Sequence, residues 1–487
     1  MMKKILLSLC ALLPVSSFAE DQAKPPNIIC FLVDDLGYGE VGVYGQKKIR
    51  TPHIDKLAHD GIKFTQFYSG QNVCAPTRCA LLTGKHMGNA AIRENSSHLR
   101  GKMPQFKVYQ KQDGFPGQAP LPAEEVTVAE VLKEKGYSTA CIGKWGLGYP
   151  LDEGSPLKQG FDFFYGYICQ VQAHNYYPRY LWKNDSKVDL PGNDRGLTGQ
   201  TYAADVMREE ALNYIKQNKD NPFFLYYATP IPHAALQVPE DEPSLAEYRE
   251  AFGPEKPYVK GAGYLPNKTP RATYAAMVTR MDRTLGMMRT LLEDLDIDDN
   301  TLILFASDNG ATFNGGYDRA FFNGNGPLRG KKCDLYEGGI RVPAIAAWPG
   351  KIQPNQTTSN ITAIWDFLAT VCDMTGATLP ENTNGISFLP TLLGKEQPQH
   401  KYLYWESRLT KGQQVVRMGK WKGIRNNVMK SGSSTPLALY NLDSDIGEKK
   451  NLAKQFPEVV EELERYMRSA RTPNPLFPMG ALEKEYE

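Results

Sequence analysis

Two stretches of the chain are apolar at nearly every position, residues 27–33 (NIICFLV) and 301–307 (TLILFAS). Runs of this length without alternation predict strands covered on both faces. Each leads directly into polar side chains, Asp34-Asp35 after the first and Asp308-Asn309 after the second. Residues 138–142 and 223–228 predict further strands, and residues 127–135, 202–216 and 274–292 carry helical spacing. Strands alternating with helices predict an α/β domain with a mainly parallel sheet, whose ligand site lies beyond the carboxyl ends of the strands. From about residue 395 the texture changes. Short strand-like pieces at 402–406, 414–418, 421–425 and 437–441 are separated by Gly, Ser and Asn, and an amphipathic stretch follows at 457–469. The expected organisation is a leader at 1–19, a large α/β domain at 20–394, and a smaller antiparallel subdomain with a closing helix at 395–487.

Composition narrows the partners. The chain has 487 residues, 41% of them hydrophobic, enough for one large core. Its 56 basic and 54 acidic residues leave a formal net charge of +2. No general field favours nucleic acid or an anionic membrane, so any affinity for an anion must be local. The opening MMKKILLSLCALLPVSSFAE has lysines, an apolar run and small residues around Ala19, the pattern of a cleaved secretory signal. It predicts a periplasmic or secreted protein. Leu9 is too bulky for the position before a lipidated cysteine, which argues against an anchor at Cys10. No other run approaches the ~20 apolar residues of a membrane span. Cleavage leaves Cys30, Cys74, Cys79, Cys141, Cys169, Cys333 and Cys372, an odd and sparse set that does not read as a disulfide framework.

Asp34, Asp35, Asp308 and Asn309 would converge at one rim of a parallel sheet. Oxygen donors of this kind suit Ca²⁺ or Mg²⁺ rather than zinc, although the same dipeptides also form turns. Residues 74–86 read CAPTRCALLTGKH, with a helix starting near Pro76. Cys74 would then sit at the positive end of a helix with Arg78 one turn along, an anion pocket holding a reactive residue. A buried structural thiol or a Cys74–Cys79 link remain alternatives.

The segment CAPTRCALLTG (74–84) resembles the type I sulfatase signature, in which Cys-x-Pro-x-Arg is followed four residues on by Thr-Gly. Further blocks occur in the family's order: DDLGYG (34–39), GKWGLG (143–148), Pro232-His233, SDNG (307–310), LRGKKCDLYEGGIRVP (328–343) and YNLDSDIGEKKNL (440–452). The resemblance spans nearly the whole mature chain and implies an alkaline phosphatase-like fold. It also implies that a formylglycine-generating maturase oxidises Cys74 to formylglycine (3-oxoalanine), whose hydrated aldehyde is the nucleophile. A thiolate would be trapped as a stable sulfur adduct, whereas a geminal diol has a second hydroxyl that can expel sulfate. Matched position by position, Asp34, Asp35, Asp308, Asn309 and residue 74 would hold Ca²⁺, with Mg²⁺ the second choice. Arg78 would hold the diol, Lys144 and Lys332 would bind sulfate oxygens, and His233 would protonate the departing sugar oxygen.

One position departs from the family. Gly146 stands where relatives carry a histidine that contacts the formylglycine, and His174 is a candidate to replace it or to bind sugar. His174 lies in an aromatic block, and Tyr165, Tyr167, Tyr176, Tyr177, Tyr180 and Trp182 could line a sugar pocket or pack the core. Sulfatases with a similar GYxCQxQAHNYYP stretch are mostly carbohydrate sulfatases, often acting on galactose-type sugars. The expected activity is therefore hydrolysis of a sulfate ester, removing sulfate from the end of a sulfated saccharide. Two alternatives stand beside it: a phosphoesterase or phosphonate hydrolase of the same superfamily, and a sulfoglycan-binding homologue with weak catalysis. Against the first, the chain has only seven histidines, and none falls in the metal blocks.

Overall fold

The structure is a computed structural model that describes residues 24–95, 114–115, 118–259 and 264–485. The leader expected at 1–19 and Cys10 lie outside these residues. The large sheet contains β1 (Asn27–Val33), β2 (Ile62–Tyr68), β3 (Ser138–Lys144), β4 (Phe163–Tyr167), β5 (Tyr180–Lys183), β6 (Ser186–Asp189), β7 (Phe223–Ala228), β8 (Thr301–Ser307), β9 (Arg341–Ala347), β10 (Gln356–Thr358) and β11 (Thr362–Ala363). Its order is β10-β2-β9-β8-β1-β7-β3-β4-β5-β6, with β11 also paired to β2.

All seven residues of both β1 and β8 are buried, as their unbroken apolar runs require. The two strands are parallel neighbours with Val33 opposite Ser307, so Asp34 and Asp308 leave the sheet side by side. β7 and β3 continue the parallel array, and β4 extends it beyond β3. The carboxyl ends of these five strands form one rim. β9 runs antiparallel to both β2 and β8, so its amino end lies at that same rim and delivers the preceding loop, with Lys332, to it.

Helices cover both faces. The expected helix at 127–135 spans Val128–Glu134, where Thr127 and Glu130 form a reciprocal capping box. The one expected at 274–292 begins earlier, at Pro270, because proline is well suited to a first helical turn. The helix Cys74–Thr83 shares the core with Val128–Glu134, on the face opposite Pro270–Asp294, and is buried at all ten positions, which fixes Cys74 and Arg78 rigidly.

The smaller sheet is antiparallel: β12 (Leu403–Ser407), β13 (Gln413–Met418), β14 (Trp421–Asn426) and β15 (Ala438–Asn441), in that order. The closing helix Pro457–Ser469 packs Leu463 and Met467 against Tyr404, Val416, Leu437 and Leu439. The mixed, mainly parallel large sheet and the small antiparallel one match the fold expected from the sequence. Cys30, Cys74, Cys79, Cys141, Cys169, Cys333 and Cys372 are all free, so the Cys74–Cys79 link is not formed. Among the described residues no helix is long and apolar enough to cross a membrane.

Candidate active site

The rim gathers Asp34, Asp35, Cys74, Arg78, Lys144, His174, His233, Asp308, Asn309 and Lys332. Asp34 and Asp35 follow β1, and Asp35 adopts a left-handed φ of 71°, which turns its carboxylate back toward β8. The Asp35 N–H donates to Asp308 Oδ1 at 3.1 Å, and Asn309 Nδ2 donates to Asp35 Oδ1 at 2.8 Å. Cys74 is the first residue of its helix, with Sγ 3.3 Å from Asp34 Oδ1. Three cations complete the cluster. Arg78 Nη2 lies 2.9 Å from Asp308 Oδ2 and 3.3 Å from Asp34 Oδ2. Lys144, the last residue of β3, donates to Asp34 Oδ2. Lys332 reaches Asp35 at 2.6 Å and lies 3.8 Å from Cys74 Sγ.

His233 stands on the loop after β7, whose Ile231 carbonyl accepts the Asp34 N–H at 3.2 Å. Its Nε2 is 3.6 Å from Asp35 Oδ2, while its Nδ1 lies 2.6 Å from the Ala234 carbonyl. A carbonyl only accepts, so Nδ1 carries the proton and Nε2 is the open nitrogen. His174, on the loop after β4, stacks on His233 with ring centroids 4.8 Å apart. It therefore stands with the imidazole of His233, and no contact joins it to Cys74 among the described hydrogen bonds.

The electrostatics follow from burying so many charges together. Burial opposes ionisation of Asp34, but Lys144, then His233, Arg78 and Lys332, outweigh it and hold its carboxyl well below the usual range. Burial and the Asp34 charge push Asp308 up to about 6. Burial, then Asp34, pushes the Cys74 thiol well above its ordinary value, so the unmodified residue is a neutral S–H rather than a thiolate. Burial, followed by Lys332 for His233 and by His233 itself for His174, drives both imidazoles well below their usual value.

The donor set fits a hard cation. Ligand atoms of Asp34, Asp35, Cys74 and His233 lie within 4.8 Å of one another; the two carboxylates are the hard donors of this group, and Asp308, expected as a ligand, is outside it. Asn309 Oδ1 is buried beside them with no hydrogen-bond donor. A buried acceptor among carboxylates, left without an N–H, is placed as a cation ligand would be. Three carboxylates already balance three cations, so a divalent ion would leave the pocket positive, which suits an anionic substrate.

The aromatic block behaves differently from a sugar-lined wall. Tyr165, Tyr167, Tyr176, Tyr177 and Trp182 are buried in the core, and only Tyr180 is half-exposed. Tyr176 Oη donates to the Pro230 and His233 carbonyls at 2.7 and 2.9 Å, and Tyr167 Oη to the Asn175 carbonyl at 2.8 Å. These rings brace the loops that carry the two histidines. The aromatic that does face them is Tyr264, 5.1 Å from the His174 ring and 5.9 Å from that of His233. Nothing in its local sequence distinguishes it; only the tertiary fold brings it there.

The family model described as Sulfatase matches residues 26–377, and one described as N-sulphoglucosamine sulphohydrolase, C-terminal, matches residues 330–472. The chain is 30% identical to human N-acetylgalactosamine-6-sulfatase, covering 92% of this chain and 85% of that protein. It is also 30% identical to an N-acetylgalactosamine-6-O-sulfatase of Bacteroides thetaiotaomicron, covering 92% and 94% respectively. Among solved structures, that of Ps i-CgsB in complex with k-i-k-neocarrahexaose superposes with a TM-score of 0.75 at 27% identity, covering 95% of this chain and 96% of that one. The fold, the signature at 74–84 and these matches together make the chain a member of the sulfatase family, a type I sulfatase of the alkaline phosphatase-like superfamily that hydrolyses sulfate esters.

Proposed function

We propose that the enzyme removes sulfate from the end of a sulfated saccharide built on a galactose-type sugar, acting outside the cytoplasm after cleavage of its leader. The observation that carries the chemistry is the convergence of Cys74 with Arg78, Lys144 and Lys332 at one buried rim. Support for the sugar class comes from relatives described as N-acetylgalactosamine-6-sulfatases and from a structural neighbour holding a neocarrahexaose. Residue 74, oxidised to formylglycine by a maturase, supplies the nucleophile as a hydrated aldehyde. A bound Ca²⁺ on Asp34, Asp35, Asp308, Asn309 and residue 74 would acidify that hydrate and draw charge from the sulfate.

The chain's own groups do the rest. Lys144 and Lys332 bind sulfate oxygens, and Arg78 holds residue 74 and the sulfo group in line, so the developing charge meets fixed cations that need no rearrangement. His233 gives a proton to the departing sugar oxygen from Nε2, since Nδ1 is held on the Ala234 carbonyl. Burial first, and then the Lys332 charge, disfavours the imidazolium, and the negative sulfo group offsets the second of these. His174, stacked on His233, stands at the leaving-group end, which favours sugar binding over a base role at residue 74.

The test uses full-length protein made with a formylglycine-generating enzyme. Mass spectrometry should find the aldehyde at residue 74 and metal analysis calcium. Sulfate should be released from 6-sulfated N-acetylgalactosamine and from an aryl sulfate, with phosphate release from the matching aryl phosphate far slower. Faster phosphate release, or stoichiometric zinc, would contradict the proposal.

A further inference from the structure

Gln170 lies on the loop after β4, two residues past Ile168, whose carbonyl accepts the Gly146 N–H at 3.1 Å. It is only 6% exposed, and its Nε2 is buried with no hydrogen-bond partner. Buried amide donors are nearly always paired, because leaving one unmade forfeits its hydration without return. A donor kept unpaired beside a binding site points to an acceptor that arrives with the ligand.

Its position explains Gly146. A Cβ added at residue 146 would lie 2.4 Å from Gln170 Nε2, 3.0 Å from Cδ and 3.2 Å from Cγ. Gly146 also holds a left-handed φ of 82°, which glycine adopts at least cost. The carboxamide of Gln170 therefore occupies the volume that a side chain at 146 would fill. Two residues before Gly146 is Lys144, joined to Asp34, whose other oxygen contacts Cys74. Four residues after Gln170 is His174, stacked on His233. Gln170 thus lies against Gly146, just past the end of the strand that carries Lys144, on the loop that runs on to His174. Arg78, Lys144 and Lys332 already bond carboxylates, whereas this donor has no competing partner.

We propose that Gln170 is a substrate-binding residue that donates its free carboxamide N–H to an oxygen of the bound sulfo group, from the place a side chain at 146 would occupy. A sulfate ester offers only acceptors, so an unpaired neutral donor complements it without adding charge to a pocket already rich in cations. The inference rests on the sulfatase reading.

Gln170→Met keeps the length of the side chain and removes the donor, and Gln170→Glu replaces it with a carboxylate facing the anion. With matured enzyme, kcat/KM should fall by about 10-fold to 100-fold for Met and further for Glu, on an aryl sulfate and a sulfated galactosamine alike. The inhibition constant of inorganic sulfate should rise in the same order. Thermal stability of the Met variant should hold or increase, since an unpaired polar group leaves the interior. If the Met variant does not fold, the Glu variant carries the same comparison. Unchanged kcat/KM on the aryl sulfate, or a loss confined to the sugar substrate, overturns the inference alone. Aldehyde-bearing wild-type protein that releases no sulfate overturns the sulfatase reading and this inference with it.

Discussion

Two of the dense charge clusters among the described residues are finished differently. Behind the rim, Glu337 and Glu448 share Lys422 at 2.9 and 3.0 Å. The second oxygen of Glu337 takes Tyr68 Oη at 2.7 Å and Arg341 at 3.3 Å. The partners come from β2, β9 and β14, so this cluster fastens the small sheet to the large one. At the rim, Asp34, Asp35 and Asp308 face three cations at similar distances, yet Asn309 Oδ1, Arg78 Nε and Gln170 Nε2 are left buried without hydrogen bonds. In the fastening cluster both oxygens of Glu337 are met by protein. In the rim, gaps remain where an ion and a substrate would bind, whereas the one acceptor of the fastening cluster left without a hydrogen bond, Glu448 Oε1, still lies against the Lys422 charge.

Replacing Cys74 gives the largest separation of the two. Cys74→Ala removes the nucleophile and little volume, so kcat should fall by on the order of 10⁴-fold or more with the melting temperature nearly unchanged. Cys74→Ser should be almost as inactive, since a single hydroxyl would trap the sulfate with no second one to expel it. Appreciable turnover by the alanine variant would break the comparison at the rim. Lys422→Met should do the reverse. It leaves Glu337 and Glu448 buried without their shared cation, at a cost of about 3 kcal/mol in stability. Denaturant unfolding should record that loss, with kcat retained wherever the protein is folded; a specific loss of kcat would show that the fastening cluster reaches the site.

His174→Ala sharpens the division within the rim. If His174 orients the sugar, KM for a sulfated saccharide should rise by about 10-fold, the worth of one good hydrogen bond, while kcat on an aryl sulfate holds. A drop in kcat on both substrates would instead give it a part in proton transfer.

The sequence exposed the first of these layers well. β1 and β8 announce themselves as unbroken apolar runs ending in Asp-Asp and Asp-Asn, and a parallel pairing then makes the rim a geometric necessity. The helix of Cys74 is legible from its proline and its signature. Hidden was the reversal of β9, a short run containing Pro343 that only pairing with both β2 and β8 identifies, and with it the route by which Lys332 enters. The tyrosines of 165–177 looked as suited to sugar as to core, because composition does not say where a hydroxyl finds its acceptor. In the fold their partners are backbone carbonyls. Gln170 and Tyr264 had no signal, since a lone polar or aromatic residue in a loop acquires meaning only from what the fold sets against it.

The smallest expected effect concerns a buried pair outside both clusters. His400 Nε2 lies 2.8 Å from Asp366 Oδ1, and the same carboxylate accepts the Ala363 and Ile386 N–H groups at 2.8 and 3.0 Å. Burial opposes charging of His400, but Asp366 outweighs it, so its pKa lies above the ordinary 6.5. A histidine raised on folding stabilises the native state fully below the unfolded value of 6.5, and that contribution is lost as pH rises through the folded pKa. Glu40, Glu94, Asp282 and Glu448, each pushed up to about 7 by burial, bind protons more tightly when folded and also lose stability as pH climbs toward 7. Wild-type unfolding alone would mix the two contributions. The difference between wild type and His400→Gln isolates the pair: about 1 kcal/mol near pH 5.5, shrinking above pH 6.5, with sulfatase activity unaffected. A gap that stayed constant with pH would show that His400 is held there as a neutral ring.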